Sequence, residues 1–255
     1  MARQRSWPSG PGELLDLLTA WVARTPWVDW LELGGSLGRG AGDEHSDVDA
    51  GVGVTGEDRL DAVAAAVGSF APVAAVLREP FGSGSTHLLT VYRDGRQLSL
   101  VVMAAEARTG LPPQSLALLD RSGRLSTSLD PARWEPDADR LREWTFLACV
   151  GAADALKHAR RGSVWRAVRC LEEARGLYLQ LVAAQQQVVF AGFGVVSLEN
   201  AGRPVPAGLA ATLVDAPRPA AVADAVAALV ALLQPFVTEH GLDGLGTALG
   251  LRGGA

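Results

Sequence analysis

Strand-like runs crowd into the first half of this 255-residue chain, and helical spacing rules the second half. Up to residue 103 the pattern switches repeatedly. Residues 14–22 repeat apolar side chains at helical intervals, and residues 27–33 and 48–54 then read as strands. Residues 57–67 return to helix, Ala-rich and led by acids that suit a positive helix start. Residues 73–77, 86–92 and 97–103 are strand-like again, the last two joined across Asp94-Gly95, a hairpin turn signal. The order α, β, β, α, β, β, β predicts a small mixed sheet with helices packed on it.

Periodicity fades over residues 109–137, where Pro112, Pro113, Pro131 and Pro136 punctuate the chain. An edge strand over residues 115–119 is the one element expected there. The boundary falls in this stretch, giving domains at 1–136 and 137–255. Beyond it Leu141, Trp144, Ala148, Gly151 and Ala155 share a helical stripe that Gly162 stops. Ser163 is placed to cap a second helix, whose stripe runs from Val164 to Leu181. Residues 209–214 and 222–237 add two more helices around Pro217 and Pro219. The class expected is α+β: a mixed sheet with helices, followed by an antiparallel helical bundle.

Composition narrows the function. A net charge of −5 argues against a general nucleic-acid binder. Cys149 and Cys170 sit far apart inside apolar helical patterns and read as free thiols in a reducing cytoplasm. No apolar leader follows the charged N-terminus, and the apolar stretch at residues 220–233 carries Asp224 and is too short to span a bilayer. A soluble, cytoplasmic protein with no membrane partner is expected.

Chemistry concentrates in the segment GSLGRGAGDEHSDVDAGV, which begins at Gly35. A β-run ends in Gly34-Gly35-Ser36, a glycine-rich turn follows, and Asp47-Val48-Asp49 opens another β-run. Glycines without Cβ let the backbone approach a bulky anion. Ser36 offers a hydroxyl and an amide to phosphate. Arg39 is either a planar fork for phosphate oxygens or a plain surface residue. Asp47 and Asp49, two apart on a strand, send their carboxylates to one face, a hard-oxygen pair suited to Mg²⁺ beside a phosphate. Ser46 reads as a turn starter. There is no P-loop, and no Rossmann fingerprint, because the glycines lead to acids on a strand rather than to a helix.

Gly35-Ser36, ten residues, then Asp47-x-Asp49 resembles the signature of polymerase-β-type nucleotidyltransferases, in wording nearest the aminoglycoside and lincosamide nucleotidyltransferase branch. Members of that branch join such a catalytic domain to a C-terminal helical bundle. The resemblance implies a nucleoside triphosphate, ATP first among candidates, lying over Gly35, Ser36 and Arg39. Mg²⁺ would be held by Asp47 and Asp49, which are also the catalytic pair. A hydroxyl of a small molecule, such as an aminoglycoside- or lincosamide-like antibiotic, would attack the α-phosphorus and release pyrophosphate. The acceptor would sit between the domains, where Asp139, Glu143, Asp154 and Glu172 could meet a cation.

One position departs from the family pattern. In the phrase that begins at Asp94-Gly95, Ser99 stands where the resemblance implies a third carboxylate. Three readings stay open. A base comes from elsewhere, with Glu172 or Glu173 as candidates; turnover proceeds without one, since general-base help is worth roughly 10²–10⁴-fold; or the chain is a degenerate relative that binds nucleotide or a protein partner without transfer. A protein-modifying enzyme of the toxin–antitoxin kind fits less well with so long a helical half. Lys157, Arg160, Arg161, Arg166 and Arg169 cluster by helix-end charge or to grip a triphosphate. His45, His87, His158 and His240 show no metal spacing and are read as structural or exposed.

Overall fold

A computed structural model describes residues 7–82 and 84–251. Its contacts divide the chain into two compact units, Met1–Pro131 and Ala132–Ala255.

The first unit is a six-stranded sheet with helices on one face. Its elements are α1 (Pro11–Arg24), β1 (Val28–Leu33), α2 (Gly35–Gly38), β2 (Val48–Val54), α3 (Leu60–Gly68), β3 (Val73–Pro80), β4 (Ser85–Tyr92), β5 (Gln97–Ala104) and β6 (Leu116–Asp120). The strand order is β3-β4-β5-β2-β1-β6. Among the six described strands, β2 and β5 are the parallel pair, as the intervening α3 and hairpin connection require. Strand alternation sorts the side chains. Leu31, Leu33, Val48, Ala50, Val52, Leu88, Tyr92, Leu98 and Leu100 share one face with Leu14, Leu15, Leu18 and Val22 of α1 and Val63 and Val67 of α3. The opposite face carries Trp30, Glu32, Asp49, Gly51, Gly53, His87 and Ser99, and it holds the polar groups.

Helix α3 starts at Leu60, three residues later than the acid-led pattern predicts. Gly56 and Asp58 take positive φ, at 82° and 55°, so the chain turns before it coils. The glycine-rich turn after β1 also contains one short helical turn, α2, which the sequence reading did not anticipate.

Gly53 on β2 shows how tightly the polar face is packed at one end. A Cβ there would lie 2.1 Å from Nε1 and Cε2 of Trp30, whose ring is fully buried and whose indole N–H donates to the Ala105 carbonyl at 3.0 Å. Gly53→Ala is therefore expected to lower unfolding free energy by about 1–3 kcal/mol, the usual range for overpacking. A urea melt followed by Trp fluorescence would read it, and an unchanged midpoint would show that the ring can move aside.

The second unit is helical: α4 (Ala138–Arg160), α5 (Val164–Gln185), α6 (Val195–Asn200), α7 (Pro219–Glu239) and α8 (Asp243–Ala248). Asp137 caps α4 by accepting from the Arg140 amide at 2.8 Å, and Gly162 at φ 72° ends the turn that follows it. Ser163 stands at the N-cap of α5 but makes no side-chain capping bond. Alanines let α4 and α5 approach closely: Ala148, Ala152, Ala155 and Ala159 meet Ala167, Leu171 and Ala174. Residues 209–212 form only a short 3-10 turn, not a full helix. Arg175 is buried and fixes that turn, donating to the Thr212 carbonyl at 2.8 Å while it pairs with Glu172.

Helix α7 corrects one expectation. It runs 21 residues and is long and apolar enough to cross a membrane by length and composition. The apolar pattern continues on either side of the stretch read from the sequence, with Pro219 at its start as a favoured first-turn residue. Here Val222, Ala225, Val226, Leu229 and Leu233 are buried in the bundle core.

Candidate functional site

The Gly35-Ser36 turn folds directly onto Asp49. Gly34 donates its amide to the Asp49 carbonyl at 2.8 Å, so the end of β1 is stitched to the start of β2. Gly35 has φ 59°, a left-handed conformation, and a Cβ on it would lie 2.1 Å from Oδ2 of Asp49. Two independent constraints, conformation and space, both require glycine at this point.

Ser36 donates to Oγ of Ser46 at 2.9 Å, across the ten-residue spacer. Ser46 in turn donates to Oδ1 of Asp43 at 3.1 Å and accepts from the Asp43 amide at 3.0 Å. The Asp43 carboxyl is held below the usual range by donation from the His45 amide and then from Ser46. Ser46 is thus more than a turn starter. It ties the glycine-serine bend to the loop that delivers the acids, a physical reason for the spacer's length.

Asp49 lies on β2, half-buried, and faces a pocket of about 290 Å³ shared with Glu32, His87, Ser99 and Arg108. Burial pushes its carboxyl up from the ordinary value, and the Asp47 charge pushes it further; a hydrogen bond from Ser99 and the charges of His87 and Arg39 work the other way. Asp47 stands one residue before β2, exposed, and borders a separate hollow beside His45 and Arg96. Arg39 ends α2 and lines a third hollow, of about 480 Å³, with Trp7 and Leu116. Gly35 and Asp49 are thus brought together directly, Ser36 is tied to Ser46, and Asp47 and Arg39 act on Asp49 through charge.

The donor set suits Mg²⁺ in kind. Both acids offer hard oxygens, and their mutual repulsion is what a divalent cation relieves. Among the described residues no group of three or more His, Cys, Asp or Glu forms a complete cage.

Glu32 and Arg108 line this pocket with no signal in the sequence pointing to them, and His87, expected to be structural or exposed, lines it beside Ser99. Ser99 lies beside Asp49 in the parallel β2–β5 register. Its Oγ is 2.9 Å from Nε2 of His87, and Nδ1 of His87 is 3.1 Å from Oε1 of Glu79. His87 lies on β4 at a position alternating with Leu88, so strand period two could have assigned it to the polar face. Glu32 is buried opposite Gly51 and pairs with Arg108, whose guanidinium also lies 5.7 Å from the Trp30 ring centroid. Burial raises the Glu32 carboxyl and Arg108 offsets part of that rise.

In the second unit, Glu172 pairs with Arg175 and Glu173 with Arg169 on the same helix. Glu143 holds Arg140 at 2.8 Å, and Asp154 pairs with Lys157.

No family profile matches this chain, and no curated protein does. Among the solved structures that match, an aminoglycoside 6-adenyltransferase from Bacillus subtilis is 14% identical over 96% of this chain and 92% of that one, with a TM-score of 0.34. A nucleotidyltransferase-like protein from Exiguobacterium sibiricum is 14% identical over 94% of this chain and 79% of its own length, with a TM-score of 0.41. Both scores lie below 0.5, and these likenesses carry no part of the functional reading.

Proposed function

We propose that the first unit binds a magnesium nucleoside triphosphate, ATP first among candidates, and transfers its nucleoside monophosphate to a hydroxyl of a small molecule with release of pyrophosphate. Aminoglycoside- and lincosamide-like antibiotics are the acceptors to try first. The observation that carries the reading is the seating of Gly35 against the Asp49 carboxylate, since it joins the two halves of the motif in one place.

In this reading Asp49 and Asp47 hold Mg²⁺, which when bound neutralises charge on the triphosphate and its leaving group. Gly35 and Ser36 let the triphosphate approach the backbone, and Arg39, whose charge reaches Asp49, adds positive charge. The pocket of Asp49, His87 and Ser99 orients the attacking hydroxyl, so the protein contributes position and fixed charge. A cytoplasmic setting belongs to the same proposal; the unpaired Cys149 and Cys170 are compatible with a reducing compartment.

Ser99 favours a second reading, because it puts a neutral hydroxyl where a third carboxylate is implied: nucleotide binding without transfer. Incubation with α-labelled ATP, Mg²⁺ and a panel of hydroxylated antibiotics divides the two. Label on an acceptor with stoichiometric pyrophosphate supports the enzyme. A melting shift with Mg²⁺-ATP but no label transferred supports the binder. No shift with any nucleoside triphosphate would overturn both.

A further inference from the structure

A chain of four side chains crosses four adjacent strands of the sheet: Glu79 on β3, His87 on β4, Ser99 on β5 and Asp49 on β2. Its links are Glu79 Oε1 to Nδ1 at 3.1 Å, Nε2 to Ser99 Oγ at 2.9 Å, and the pairing of Ser99 beside Asp49 in the parallel β2–β5 register. Resting on the nucleotidyl-transfer reading, we infer that His87, steered by Glu79 and reached through Ser99, takes the proton of the attacking hydroxyl.

Hydrogen-bond accounting fixes how the chain works. A carboxylate only accepts, so Nδ1 of His87 donates to Glu79. With the ring neutral, Nε2 carries a lone pair and accepts from the Ser99 hydroxyl. With the ring charged, Nε2 donates to Ser99 Oγ, and the serine proton turns to Asp49. Ser99 is therefore satisfied in both ring states, as a proton relay must be. The His87 ring is 17% exposed at the pocket that contains Asp49, so a substrate hydroxyl can reach the relay. The other charged groups of that pocket are Glu32 from β1 and Arg108, which pair with each other.

The step balances. The acceptor oxygen forms a bond to the α-phosphorus, and the bond from that phosphorus to the pyrophosphate oxygen breaks, its electron pair leaving with pyrophosphate. The hydroxyl proton passes to Ser99 Oγ as Ser99 gives its own to Nε2. The imidazolium formed is paired with Glu79 and returns its proton to solvent. A neutral serine beside Asp49 is then no defect, because the base lies one strand further across the sheet. His87 is the catalytic residue in this chain and Glu79 a positioning residue.

The test uses the full chain, Mg²⁺ and α-labelled ATP, with water and the hydroxylated panel as acceptors. His87→Gln and Ser99→Ala should each slow pyrophosphate release by about 10²-fold or more, within the range of general-base help. Their melting shifts with Mg²⁺-ATP should match that of the unmodified protein. The unmodified rate should fall on acidification, because a protonated ring takes no further proton. Glu79→Gln should move that fall to lower pH, because it removes the charge that favours the imidazolium. Ser99→Asp in the His87→Gln background should regain at least tenfold, with its acid limb also lower, since a carboxylate then does the work. His87→Gln as fast as the unmodified protein, while Asp49→Asn is inactive, would overturn this inference and leave nucleotidyl transfer standing. No pyrophosphate from the unmodified protein with any acceptor would remove both.

Discussion

Replacing Asp49 with asparagine is expected to lower nucleotidyl transfer by about 10³-fold or more and, at neutral pH, to raise the melting temperature. The rate effect follows from charge: asparagine keeps the shape and can still accept from Ser99, but it offers no anion to a metal ion. Loss of a single preorganised electrostatic contact already costs about 10²–10³ in rate. The stability effect has the opposite sign because Asp49 is unfavourably placed for folding. Its carboxyl is raised in the folded chain by burial and then by Asp47. A raised carboxyl means that the folded state holds its proton more tightly than the unfolded state. Asp49's contribution is therefore fully present below the ordinary aspartate value and is lost as pH rises through the raised one. Asparagine never suffers that loss. The melting gap between variant and parent should be widest at neutral pH and narrow as pH falls toward the ordinary carboxylate range, which paired thermal melts across pH would measure. A variant less stable at neutral pH would show that Asp49 is held mainly by favourable partners.

Gly35→Ala is expected to abolish transfer to the same degree and to destabilise. Alanine at φ 59° costs about 1–2 kcal/mol in backbone strain alone. Its Cβ would also fall 2.1 Å from Oδ2 and 3.0 Å from Cβ of Asp49, so the carboxylate or α2 must move. The two variants thus lose activity together while moving stability in opposite directions, a pairing that a generally damaged fold would not produce. Truncating Asp49 to alanine as well should recover part of the Gly35→Ala destabilisation, because the carboxylate that the new methyl meets is gone; a double-mutant cycle reads that coupling. Full additivity would mean that α2 shifts freely and that the close seating of Gly35 is incidental.

Local patterns carried the elements well where one face of a strand or helix is apolar. The runs at 27–33, 48–54 and 97–103 emerge as β1, β2 and β5 with ends moved by a residue or less, and the edge strand expected near 115–119 is β6, paired with β1. Where backbone conformation decides, the pattern misled. Asp58 at positive φ delays α3, and residues 209–212 close into a single 3-10 turn where a helix over 209–214 is expected. The site was legible in part for the same reason. Gly35, Ser36 and Asp49 lie close in sequence, and the meeting of Gly35 with Asp49 follows from one strand–turn–strand unit. The contributions of His87, Glu79 and Glu32 depend on β4, β3 and β1 taking their places in the order β3-β4-β5-β2-β1-β6, and that order comes from long-range pairing that no local periodicity records. Glu32 went unnoticed because a carboxylate in a strand reads as solvated, whereas here Arg108 lets it be buried.

The most direct measurement is a calorimetric titration of the full chain with α,β-methylene ATP, which cannot release pyrophosphate, first in Mg²⁺ and then in EDTA, repeated with Asp49→Asn. Saturable binding in Mg²⁺ that disappears in EDTA and in the variant is the predicted result. Binding indifferent to both the metal and Asp49, or no binding at all, would contradict a nucleotide site built on the meeting of Gly35 and Asp49.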